Sequence, residues 1–150
     1  MRVVIQRVSK ASVSIDNKLF SAIGKGMLAL VGIEEADDES DVKWLCNKIV
    51  QLRIFDDANG VMNLSIRDIG GDIMVVSQFT LHAKTRKGAR PSYIKAARPE
   101  KATPLYDMFV QNISELNGKP AATGVFGAMM QVELVNDGPV TIIIDTKEKE

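Results

Sequence analysis

The chain has 150 residues, 45% apolar and 25% charged, with 11 Gly, 5 Pro and equal numbers of basic and acidic residues. That composition excludes disordered, collagenous and low-complexity chains and a polycation that coats nucleic acid, and the length suits one domain burying roughly two-thirds of its unfolded surface. The longest apolar run, 27–33, is far short of the ~20 residues that span a bilayer, and a lone Cys with a lone His makes neither an internal disulfide nor a zinc site.

A reduced, cytoplasmic protein without a structural metal is therefore expected, and the first residues, with Arg2 and Arg7 around a short apolar stretch, offer no leader cleavage site. Val3, Val4, Ile5 and Val8 open a strand, and Ser12–Ile15 and Leu19–Ile23 flank Asp16-Asn17, which predicts a hairpin with a tight polar turn. Gly24 and Gly26 then break the chain before Met27–Val31, a continuous apolar run that suits a buried strand. Val42, Leu45, Cys46, Ile49 and Leu52 recur at helical spacing, with Ser40 as the expected N-cap and acids at the positive end of the dipole. Asp56–Gly60 reads as a turn, and Ile73–Val76 is the clearest strand. A second helix starts near Pro99, presents Leu105, Met108, Phe109, Ile113 and Leu116, and ends at Gly118. Met130–Val135 and Val140–Ile144 read as two strands joined by a reverse turn at 136–139, and Lys147–Glu150 as a frayed tail. Strands dominate and helices are inserted singly, so the expected fold is α/β: a mixed β-sheet with two main helices packed on it, in a single domain.

Neutrality hides a local asymmetry. Six acids fall within residues 34–41, whereas residues 84–101 hold seven bases and the single acid Glu100, a net +6. Such a stripe suits a site for one polyanion, although the charges alone favour a solvated loop. Dinucleotide-binding, phosphate-loop and nucleophile-elbow patterns are all missing. His82, just beyond a strand, reads as a surface loop residue, and Cys46, on an apolar helix face, as a buried inert thiol.

Two segments carry more chemistry. In Ser77-Gln78-Phe79-Thr80-Leu81 a buried strand runs into hydroxyl and amide groups just before the basic stripe; in Asn136-Asp137-Gly138-Pro139-Val140-Thr141, Gly precedes Pro, a pairing found in tight turns. Both strings, in this order and at this spacing, resemble the two signature motifs of the D-aminoacyl-tRNA deacylases. The resemblance runs from Met1 to Asp145 and includes Gln6-Arg7-Val8, Leu52-Arg53-Ile54-Phe55, Met62-Asn63-Leu64-Ser65, Lys87-Gly88-Ala89-Arg90-Pro91 and Phe126-Gly127-Ala128. Residues 1–145 thus form the family-like domain, and 146–150 a charged tail outside the pattern.

The resemblance implies hydrolysis of the ester between a D-amino acid, or mischarged glycine, and the terminal adenosine of tRNA. It implies no cofactor, and a homodimer whose active sites lie at the subunit interface. Ser77, Gln78, Phe79 and Thr80 then line the pocket of one subunit. Gly138 and Pro139, joined by a cis peptide, reach in from the other, and their carbonyls exclude an L side chain. Arg7 holds that pair in place, and Phe126, Gly127, Ala128 and Met130 lie near the adenosine. Lys84, Arg86, Lys87 and Arg90 are the expected contacts to tRNA phosphates.

Two routes to catalysis stand side by side. Thr80 could act as a nucleophile with His82 as its base, since i and i+2 share a strand face if the strand continues. Alternatively the substrate's own 2′-hydroxyl assists, with backbone N–H donors of residues 78–80 stabilising the oxyanion and Thr80 as a positioning residue. The resemblance and the scarcity of bases favour the second. Competing functions are an inactive tRNA-binding module, which would not need both strings intact, and a small-molecule esterase or deaminase at an oligomer interface, which would not need the basic stripe.

Overall fold

The computed structural model describes residues 1–150. Strands β1 (Arg2–Ile15), β2 (Lys18–Ile23) and β3 (Gly26–Gly32) form one long antiparallel hairpin, in which the partners of β1 run on from Ile23 opposite Ala11 to Gly26 opposite Val8. Asp16 and Asn17 at its tip take φ of 50° and 60°, the left-handed pair that matches a two-residue turn to the strand twist. Helix α1 (Glu39–Gln51) and a small hairpin of β4 (Phe55–Asp56) and β5 (Met62–Leu64) lead to β6 (Asp72–Ser77), which lies parallel to β3. Helix α2 (Pro99–Asn117) returns the chain to β7 (Ala122–Thr123), parallel to β6, and to β8 (Gln131–Asp145), antiparallel to β1. The expected mixed sheet with two helices is what forms.

Alternation along the strands divides the core. Met27, Ala29 and Val31 of β3 join Val3 and Ile5 beneath Leu45, Ile49, Leu105, Phe109 and Ile113 of the two helices. Leu28 points the other way, with Val8, Ala11, Val13, Met74 and Val76, into a smaller cluster completed by half-buried Met130, Val132 and Leu134. Gly26 is required where β3 meets the start of β6, since a Cβ there would lie 1.8 Å from the Asp72 carbonyl oxygen. No helix is long and apolar enough to cross a membrane.

Four local expectations need correction. Asp38, not Ser40, caps α1: its carboxylate accepts the Ser40 and Asp41 amides at 2.8 and 3.4 Å, while Asp41 accepts the Asp38 amide at 3.0 Å. Residues 136–139 do not join two strands, because 131–145 is one strand paired to β1 on both sides of a bulge. His82 is buried rather than on a surface loop. The chain end is docked rather than frayed: Thr146 is buried and accepts from the Met1 ammonium at 2.7 Å, and Lys147 Nζ lies 2.8 Å from Asp41.

Candidate active site

The site begins where parallel β3 and β6 end, the side on which such sheets leave loops and backbone groups free for ligands. The Gln78 amide still donates to the Val31 carbonyl at 2.7 Å, but the strand stops there, and residues 79–82 wind into a tight turn closed by Leu81 N–H to Gln78 O at 3.2 Å and Ala83 N–H to Thr80 O at 3.0 Å. Thr80 and His82 therefore do not share a strand face. The Thr80 hydroxyl oxygen instead accepts from the Gln78 side-chain amide. His82 is 4% exposed with Nε2 unpartnered, so no hydrogen bond links it to Thr80 as a base. Of the expected donors, the Gln78 amide is already spent on the sheet; those of Phe79 and Thr80 open the turn without a backbone acceptor.

A cavity of about 330 Å³ lies against this turn. Ser77 and Gln78 supply its polar side chains, Val31, Ile33, Val76 and Phe79 apolar ones, and residues 126–130 a wall. Phe126, Gly127, Ala128 and Met130 thus share one cavity with Ser77, Gln78 and Phe79, while Thr80 stands just outside the lining. Tyr106 sets the wall, packing on the Phe126 ring at 5.7 Å between centroids and donating its hydroxyl to the Val75 carbonyl at 2.9 Å. Burial, then the Asp107 carboxylate, pushes the Tyr106 phenol up to about 12, so it stays a donor. A larger hollow of about 620 Å³ lies between Trp44, β8 and the chain end, but of the two signature strings it takes only Leu81.

Arg7, Gly138 and Pro139 form a separate constellation. Gln6 pairs with Thr141 and Val8 with Asn136, so residues 137–140 are extruded from β8 opposite Arg7. The Asn136 side-chain amide spans the neck, donating to the Arg7 carbonyl at 3.1 Å and the Val140 carbonyl at 3.0 Å. The buried Arg7 guanidinium donates to the Asp137 carbonyl at 3.0 Å and the Ile54 carbonyl at 2.8 Å, and lies 3.3 Å from both Asp56 and Asp137 carboxylates. The Gly138–Pro139 peptide is cis, and both residues are exposed. Gly138 has φ +129°, and a Cβ there would lie 3.0 Å from the guanidinium and 2.9 Å from Val140, so only glycine fits. Neither residue lines the 330 Å³ cavity of its own chain.

Lys84, Arg86, Lys87 and Arg90 are exposed on a loop closed by reciprocal bonds between Lys84 and Ser92 of 2.8 and 3.0 Å. None of the four pairs with an acid of the chain. Sequence reasoning passed over Asn136, Ile54 and Asp56, although all three fall in or beside the strings that carry the resemblance. It also passed over Ala97 and Ala102 of the cavity lining, small apolar residues with no local signal. Cys46 is inert as expected, its thiol pushed up to about 12 by burial.

The candidate site thus combines an exit turn with free amides and a cavity walled by residues 126–130, and the same chain extrudes a Gly-Pro bulge away from that cavity. Residues 4–145 match the family model described as D-Tyr-tRNA(Tyr) deacylase. Proteins named D-aminoacyl-tRNA deacylase from Bacteroides thetaiotaomicron and Bacteroides fragilis are 64% and 66% identical over 150 residues, covering 100% of each chain. A solved structure of a c-Myc DNA Unwinding Element Binding Protein is 37% identical, with a TM-score of 0.92 over 97% of this chain and 99% of that one. The chain belongs to the D-Tyr-tRNA(Tyr) deacylase family and is a hydrolase.

Proposed function

We propose that the protein cleaves the ester of D-aminoacyl-tRNA, and of mischarged glycyl-tRNA, as a cytoplasmic homodimer. The observation that carries this reading is the separation of the two motifs. The exit turn and cavity form one half of a site, and the Gly138–Pro139 bulge projects from its own chain without entering that chain's cavity. A second copy supplies the missing half. β8 favours such pairing: it is fifteen residues long, bonds only to β1, and exposes Val135 and Ile143 by 45% and 68%.

In the assembled site the carbonyls of residues 138 and 139 face the substrate's α-carbon and leave room for hydrogen but not for an L side chain. Discrimination comes from a clash with main chain, which a flexible side chain could not enforce as well. The Phe79 and Thr80 amides stabilise the oxyanion that forms when water attacks the ester carbonyl. The ribose 2′-hydroxyl orients that water, and the adenosine rests against Phe126, Gly127, Ala128 and Met130. Lys84, Arg86, Lys87 and Arg90 hold phosphates, which positions the acceptor end without reading its sequence.

The test compares purified protein on D-tyrosyl-tRNA, L-tyrosyl-tRNA and a simple D-tyrosine ester. Rapid hydrolysis of the first alone is the expected result. Equal rates on the D- and L-forms would refute the clash, and equal efficiency on the free ester would favour a small-molecule esterase. Charging onto tRNA ending in 2′-deoxyadenosine is expected to lower turnover sharply, and an unchanged rate would remove the 2′-hydroxyl from the mechanism. Duplex DNA as a competitor addresses the binding named for the 37% relative; it is expected to inhibit weakly.

A further inference from the structure

We propose that Phe79 and Tyr93 form a stacking ledge for an unpaired base of the acceptor strand, one step back from the nucleoside whose ester is cut. The proposal rests on reading the cavity as an aminoacyl-tRNA site and extends it outward. Three observations support it.

The first is exposed aromatic area. The two rings meet edge to face, with centroids 5.1 Å apart and planes at 75°, yet Phe79 is 56% and Tyr93 39% exposed, beside Ile94 at 79%. Contiguous apolar side chains held in water on a rigid frame mark a binding surface more often than scattered single ones do.

The second is place. Phe79 also lines the cavity, and the turn that begins at Tyr93, closed by Ala96 N–H to Tyr93 O at 3.0 Å, runs directly into Ala97, another lining residue. The Ala97 amide is in turn tied to the Ile33 carbonyl at 2.9 Å. The ledge is therefore fixed at the cavity rim by the sheet itself.

The third is charge. Tyr93 follows Ser92, the residue that closes the loop bearing Lys84, Arg86, Lys87 and Arg90, so the ledge stands at the neck of an unneutralised basic loop. Cavity, aromatic ledge and basic loop follow one another as ester, base and phosphate do along a single strand. Every base has a π-face, so such a ledge accepts any nucleotide and adds affinity without sequence choice.

The test uses the full-length protein and two short substrates, D-tyrosyl-adenosine and the D-tyrosyl ester of the trinucleotide CCA. Tyr93→Ala is expected to cut the preference for the trinucleotide over the nucleoside, measured as the ratio of kcat/KM values, by about 5- to 150-fold, the range of one base–aromatic stack. Tyr93→Phe and Tyr93→Trp are expected to keep that preference. An unchanged ratio in Tyr93→Ala would overturn the proposal, as would a loss of the preference in Tyr93→Phe. A Tyr93→Ala protein with a smaller particle mass by sedimentation would overturn it too, since the ring would then serve subunit contact. If wild-type protein hydrolyses neither D-substrate, the functional reading fails, which is a result distinct from failure of the ledge.

Discussion

At the scale of the residue, Arg7 shows how one side chain ties two distant segments to a site. Its guanidinium reaches the carbonyls of Asp137 and Ile54 and the carboxylates of Asp56 and Asp137, a forked pattern that a lysine ammonium cannot copy. Arg7→Lys is expected to cost about 1–3 kcal/mol in denaturant unfolding through unpaired buried carbonyls, and to raise hydrolysis of L-tyrosyl-tRNA. An unaltered D/L ratio would show that the bulge holds its shape unaided. Gly138→Ala is expected to loosen chirality further, because its Cβ displaces either the guanidinium or Val140. Thr80→Ala is expected to stay within about tenfold of wild type on D-tyrosyl-tRNA, whereas a loss of about 10²–10⁴-fold, typical of removing a proton-transfer group, would restore a chemical role to its hydroxyl. The two strings were legible only as a pair, through the family they resemble, since singly they read as a strand end and a reverse turn. His82 was not: a histidine two residues past a buried strand looks exposed until the turn at 79–82 folds it back against Gly32, where a Cβ on that glycine would meet its ring at 3.1 Å.

At the scale of the element, periodicity located both helices, the hairpin tip and β6, since each is set by neighbours close in sequence. Element ends were harder. Ser40 and Asp38 are both good capping residues, and the choice falls to Asp38 because Asp41 answers it as the third helical residue. Asp38→Ala is expected to lower the thermal midpoint more than Ser40→Ala does, and the reverse order would restore Ser40 as the cap. Asn136-Asp137-Gly138-Pro139 has the composition of a reverse turn, and nothing local distinguishes a turn from a bulge. The difference lies in β1, which holds both flanks of the segment at once, from Ser14 opposite Gln131 to Arg2 opposite Asp145. Long-range pairing of that kind leaves no trace in a window of ten residues.

At the scale of the whole molecule, the two chain ends meet. The Met1 ammonium is buried against Asp37 and Thr146, and Lys147 bridges to Asp41 while Lys149 lies 4.4 Å over the Trp44 ring. A charged terminal string reads as frayed because its partners, Asp37 and Asp41 at the start of α1, lie about a hundred residues away. Burial raises the Asp41 carboxyl, but hydrogen bonds from Lys147 and Thr146 and the Asp38 amide outweigh it and hold the group at about 2. A depressed carboxyl stabilises the fold above its ordinary value near 4 and stops doing so as pH falls through 2. The gap in thermal midpoint between wild type and Lys147→Ala is therefore expected to be widest above pH 4 and to shrink toward pH 2; a gap independent of pH would assign the effect to packing. The subunit arrangement itself is tested most directly by a hybrid dimer of one Ala128→Trp chain, its cavity filled, and one Gly138→Ala chain, its barrier altered. If the barrier acts across the interface, the open cavity receives an intact Gly138–Pro139, and the hybrid hydrolyses D-tyrosyl-tRNA while sparing the L-form. Hydrolysis of the L-form by the hybrid, as by the Gly138→Ala homodimer, would place cavity and barrier in the same chain and contradict the composite site.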